Sequence, residues 1–262
     1  MAHDDQFGTA RIERGSGREV DDFASHVISV LCERQPDSTA TGTRQFILDY
    51  LVRIIVSPRH FDPVLALDEL RGHRLTLDAI IDLYIPRAAA RLGELWIQSE
   101  LTFADVTIGA LRLQAVLGEA ASDPTMTGPS GSTKAFSALV IVPRDEQHFL
   151  GATVVAAQLR RLGCDTSLSF SETNSQIVDR CRFDNPDMIL LSCARPEALE
   201  TVSKTIKRIR RSMDPAPVIA LGGAVRGDID QMALVTGVDL VTNAAKDVVG
   251  LCTKRLKALT KD

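Results

Sequence analysis

A glutamate, a histidine and a glycine stand at fixed spacing near the middle of the chain, as Glu146-x-His148-x-x-Gly151. A neutral imidazole is a good metal ligand, and a carboxylate two residues away can hold its other ring nitrogen and fix the tautomer. Further on come Ser192-x-Ala194, which supplies a hydroxyl, and the pair Gly222-Gly223, which lets a bound group approach backbone closely. Each has an ordinary use as well. A surface histidine is commonly solvated, a serine at a strand end satisfies backbone groups, and a glycine pair makes a turn. The chemistry depends on whether the fold gathers the three segments. Catalysis is not expected, because no Ser/His/Asp set with an oxyanion donor is visible. Neither G-x-G-x-x-G nor a Walker pattern follows the first apolar strand, so a phosphate loop is not expected either.

The elements that must position these residues follow from hydrophobic periodicity. The second half alternates short apolar runs with amphipathic stretches. It predicts strands over 137–142, 165–170, 187–192, 218–221 and 238–242, and helices over 150–162, 175–182, 197–213, 229–235 and 244–259. Runs such as ALVIV and MILL are apolar throughout, as in strands buried on both faces of a parallel sheet. Five strands alternating with five helices fit a flavodoxin-like, doubly wound sheet. Ligands in such folds lie beyond the carboxyl ends of the strands, where His148, Ser192 and Gly222 are expected.

The first half has a helical period, with amphipathic stretches over 19–35 and 43–56. Asp62-Pro63 caps a helix ending near Gly72. Thr76 caps the next, Pro86 starts or kinks another that ends near Trp96, and Thr102 with Asp105 forms a capping box before 103–119. The fold class is therefore α/β, an N-terminal helical bundle followed by the parallel sheet. The boundaries are 1–40 for a polar tail and first helix, 41–120 for a four-helix cap, 121–135 for a Ser/Thr/Gly/Pro-rich linker, and 136–262 for the α/β domain.

Composition closes off several classes. The 262 residues carry 30 basic and 34 acidic side chains, a net charge of -4. A direct nucleic-acid surface is therefore not expected, and the basic run Lys204–Arg211 reads as the solvated face of a helix. Five scattered cysteines, without CxxC, point to a reducing cytoplasm rather than a disulfide framework. No apolar run reaches the ~18 residues of a membrane span. Trp96, the single tryptophan, stands out among few aromatics.

The pattern Glu146-x-His148-x-x-Gly151, Ser192-x-Ala194 and Gly222-Gly223 resembles the D-x-H-x-x-G, S-x-L, G-G signature of cobalamin-binding domains. The resemblance implies that His148 is the lower axial ligand to cobalt. It also implies that the cofactor's displaced nucleotide tail enters a groove lined by Ser192, Gly222 and Gly223. Glu146 replaces the family's Asp and is one methylene longer, and Ala194 replaces its Leu. Residues 84–96 resemble the helical cap of methionine synthase and of CarH-type light-sensing repressors, where a tryptophan, here Trp96, lies over the corrin. The Glu-His of the CarH W-x9-E-H motif is replaced by Val106-Thr107, so that family's tetramer switch is not implied.

With cap and motif but no winged-helix DNA-binding module, the chain resembles the PpaA/AerR family. Those are cobalamin-binding antirepressors of photosynthesis genes that act on repressors of the PpsR/CrtJ type. The implied cofactor is cobalamin, its hydroxo-, adenosyl- or methyl- form left open. The implied partner is such a repressor, and the signal is light. The alternatives are a corrinoid carrier for a methyltransferase and a haem-binding sensor on the same fold.

Overall fold

The computed structural model describes residues 44–126, 136–144, 146, 149–193, 195–223 and 228–259. The expected helix over 19–35, the tail before it, His148 and Ala194 lie outside these residues.

The cap begins with α1, Gln45–Val56, which buries Ile47, Leu48, Leu51, Val52 and Ile55 on one stripe. In α2, Pro63–Gly72, the Asp62 carboxylate accepts from the backbone N–H groups of Val64 and Leu65, as its place before a first-turn proline requires. The next helix, α3, is composite: Leu77–Ala79, a π-helical turn over Ile80–Tyr84 and the α-helical run Ile85–Ile97 follow one another without a break. Pro86 lies in the first turn of that last run, which ends beside Trp96 as expected. Proline has no N–H to give to the carbonyl four residues back, and the wider π turn just before it absorbs that defect. Helix α4, Phe103–Ser122, starts on the Thr102/Asp105 capping box and runs past the expected end at Glu119. A short 3-10 turn, Pro124–Met126, follows, and Met126 is buried against the cap core. Gly109 lets α4 approach α3, since a β-carbon there would stand 2.8 Å from the Leu92 side chain.

The second half alternates β1 (Ser137–Val142), α5 (Phe149–Arg161), β2 (Asp165–Phe170), α6 (Asn174–Asp184), β3 (Met188–Ser192), α7 (Leu199–Ser212), β4 (Val218–Gly222), α8 (Ile229–Thr236), β5 (Leu240–Val241) and α9 (Ala245–Leu259). The five strands form one all-parallel sheet in the order β2-β1-β3-β4-β5. The doubly wound α/β fold expected from the sequence is the fold observed. Alternation along the strands sends Val140, Leu190 and Ala220 toward α5 and α9. It sends Leu139, Ile189 and Ile219 toward Ile177, Val202, Ile206 and Ile209 of the helices on the other face.

Helix α5 belongs to both halves. Ala152, Ala156 and Leu159 pack on the sheet, while Val154 and Ala157 lie in the cap core with Leu150 against it. At its last turn the Arg161 guanidinium pairs with Asp82 at 2.6 Å and Asp78 at 2.7 Å, and Gln158 donates to Asp82 at 3.1 Å. Asp82 sits in the π turn, so the irregular part of α3 is the part that grips the α/β domain. Among the described residues no helix is long and apolar enough to cross a membrane.

Candidate cobalamin site

The strand order reverses between β1 and β3, which opens a crevice beyond their carboxyl ends. Glu146 follows β1 and is buried, with its N–H donating to the Pro143 carbonyl at 2.9 Å. Cys193 follows β3 and is buried beside it. Burial pushes the Cys193 thiol up to about 11, and the nearby Glu146 and Glu197 carboxylates add to the rise. The thiol's bond to the Arg195 carbonyl and the Arg195 charge act against it. Two segments far apart in sequence thus meet at the switch point. His148 follows Glu146 by two residues and directly precedes Phe149, the first residue of α5.

Ser192 and Gly222 are register partners at the ends of β3 and β4. Strand alternation gives them the same side of the sheet as Leu190 and Ala220, facing α5 and α9. The helix residues opposite include Ala152, Ala156 and Ala245. They are buried against the strands. Gly151 is exposed in the first turn of α5, and a β-carbon there would meet nothing within 4 Å. The small residues at the strand ends and at the start of α5 fit a cobalamin tail, with Ser192, Gly222 and Gly151 among those that would hold it.

The glycine pair has a second reason to be glycine. Gly223 has φ +119°, and a β-carbon there would lie 2.2 Å from the Cys193 carbonyl oxygen. At Gly222 it would lie 2.9 Å from the Thr242 carbonyl oxygen. The loops after β3, β4 and β5 cross so tightly that side chains are excluded by protein backbone. The sequence reading missed Asn243, which fastens this crossing. Its Oδ1 accepts from the Gly223 N–H at 2.8 Å, and its Nδ2 donates to the Gly223 carbonyl at 3.3 Å. Cys193 N–H donates to the Gly222 carbonyl at 2.8 Å. The only sequence signal was an Asn after the fifth strand, a residue type that serves in turns of every kind.

Trp96 lies near the end of α3, half-buried, its ring 6.2 Å from that of Phe103 at the start of α4. Phe103 is 63% exposed. The expected tryptophan is thus a cap residue with an aromatic neighbour and an open side, while the strand-end residues gather on the α/β domain.

A family model for the B12 binding domain matches residues 136–250. A protein of Rhodobacter capsulatus, described as an uncharacterized 20.5 kDa protein in the bchF-crtJ intergenic region, is 32% identical over 180 residues. That match covers 68% of this chain and 93% of the relative. The chain belongs to the cobalamin-binding-domain family, in its PpaA/AerR type. The fold agrees. The monomethylamine corrinoid protein of Methanosarcina barkeri superposes with a TM-score of 0.63, covering 81% of this chain and 99% of that one at 13% identity. The α/β half is accordingly a cobalamin-binding domain, and the haem alternative finds no support.

Proposed function

We propose that this protein is a cytoplasmic, cobalamin-dependent antirepressor, without catalytic activity of its own, that binds a repressor of the PpsR/CrtJ type in response to light. The observation that carries the reading is the convergence of Glu146, Ser192 and Gly222-Gly223 on one crevice, at the root of the helix that also anchors the cap. His148 would hold the cobalt, Glu146 would orient its imidazole, and Ser192 with the glycine pair would line the tail groove. Trp96 would cover the cofactor from the cap. Bound cobalamin would supply a cobalt–ligand bond that light can break.

The rest falls to the chain itself. Helix α5 starts beside the ligand loop and ends in the Arg161 clasp on Asp78 and Asp82, so a displacement at the crevice reaches the cap along one rigid element. The cofactor can shift the cap only by its difference in affinity for two arrangements. The place of the Rhodobacter capsulatus relative between bchF and crtJ supports a repressor of the CrtJ type as partner. The test is co-purification of the repressor with the hydroxocobalamin-loaded chain, in light and in dark, beside His148→Ala. Cobalamin-dependent capture, lost in the variant, is expected. Methyl transfer to a corrinoid-dependent acceptor without repressor binding would favour the carrier reading instead.

A further inference from the structure

The cap and the cofactor groove use the face of the sheet covered by α5 and α9. The opposite face, covered by α6, α7 and α8, stays free of both. Its central helix, α7, turns Lys204, Lys207, Arg208 and Arg211 to solvent. Their spacing puts them on one stripe about 10 Å long. Lys204 is met by Glu200 at 2.7 Å, whereas Lys207, Arg208 and Arg211 stand outside every ion pair among the described residues. Arg210 is spent inside the fold, on the Gly237 carbonyl at 2.9 Å and on Asp239 at 3.0 Å.

Alongside runs the last turn of α8, held by the Ser203 hydroxyl donating to the Val235 carbonyl at 3.0 Å. There Leu234 is 80% exposed and Val235 half exposed. Three cations without an ion pair among the described residues, on a chain of net charge -4, flanked by exposed aliphatic side chains, make a surface of unlike parts. Phosphate backbone would use the cations and leave the aliphatic edge idle. An amphipathic protein segment carrying carboxylates beside leucine-like residues uses both.

We infer that the α7–α8 face, with Lys207, Arg208, Arg211 and Leu234, is the docking surface for an acidic amphipathic segment of the protein partner. This rests on the partner reading above and adds where the repressor binds. Because the surface lies across the sheet from the cap, it is accessible with cobalamin bound.

The experiment measures the affinity of the cobalamin-loaded full chain for the repressor, comparing wild type with K207E/R208E/R211E and with Leu234→Ser. All four positions are exposed, so the far-UV spectrum, melting curve and cobalamin spectrum should match wild type. The triple variant is expected to bind at least ~10-fold more weakly, chiefly through a slower on-rate, with the gap narrowing as salt rises. Leu234→Ser is expected to weaken binding severalfold at every salt concentration. Unchanged affinity in both variants overturns the assignment while leaving the antirepressor reading intact. Failure of the wild type to bind the repressor removes both. Salt-dependent binding of a 20-base-pair duplex by the chain alone, lost in the triple variant, overturns the assignment in favour of nucleic acid.

Discussion

Replacing Gly223 with alanine should damage the site more than replacing any other glycine of positive φ, and the structure says by how much. A side chain at φ +119° costs about 1–3 kcal/mol in backbone strain. The new methyl would also sit 2.2 Å from the Cys193 carbonyl oxygen and 2.8 Å from its nitrogen, so the loops must separate by about an ångström. That separation breaks the Cys193–Gly222 and Gly223–Asn243 hydrogen bonds, each worth about 0.5–1.5 kcal/mol. The sum is about 2–6 kcal/mol, a large part of a typical domain's 5–15 kcal/mol. Gly237 is the internal control. Its φ is +75° and nothing lies within 4 Å of its β-carbon position, so Gly237→Ala carries strain alone, about 1–2 kcal/mol. Urea unfolding followed by circular dichroism gives both values. Gly223→Ala should be the less stable by at least ~1 kcal/mol, and should bind hydroxocobalamin less well. Equal stabilities of the two variants would refute the argument that the crossing loops exclude a side chain.

Other outcomes follow from the same contacts. Arg161→Gln removes the clasp on Asp78 and Asp82; because those carboxylates are partly solvated, the loss is modest, about 1 kcal/mol. Its clearer signature is faster hydrogen exchange in the Leu77–Tyr84 region with the sheet unaffected. Burial pushes Cys181 and Cys252 up to about 12 and Cys193 up to about 11, from an ordinary 9.0. These thiols are protonated in the fold and ionise on unfolding, so the stability they hold is full below pH 9. It falls as pH rises from 9 toward 11–12, by about 1.4 kcal/mol per thiol at pH 10. Unfolding curves at pH 8 and pH 10 would show it, and alkylation of the native protein at pH 8 should be slow. On the proposed ligation, cobalamin affinity should fall as the pH drops through the ordinary histidine range, about 6.5, because protons would compete with cobalt for the His148 imidazole. Spectral titration at pH 5.5 and 7.5 checks this.

Much of the α/β half was legible because the strands β1, β3 and β4 are nearly continuous apolar runs and amphipathic stretches separate them. Even the two-residue β5 fell inside the stretch expected for it. The caps were legible too: Asp62, Thr76 and Thr102 accept from the backbone groups their positions implied. Pro86 marked the start of the run over Ile85–Ile97, but the π turn that joins this run to the helix before it was not legible, since apolar spacing does not separate a wider turn from an ordinary one. The gathering of Glu146, Ser192 and the glycine pair at strand ends could be anticipated from topology. Asn243 could not, because its work is to hold two loops whose proximity exists only in the folded chain. Cys193 was equally opaque. In sequence it is one of five scattered thiols, while in the fold its backbone is the surface against which Gly223 must be bare.

The central claim is that His148 ligates cobalt at this crevice. The direct measurement is the absorption spectrum of the purified chain after mixing with hydroxocobalamin and desalting, beside His148→Ala. Co-elution of cobalamin, with a spectrum shifted from that of the free cofactor and the shift absent in the variant, is the result expected. Failure of cobalamin to co-elute, or identical spectra for wild type and variant, would contradict the account.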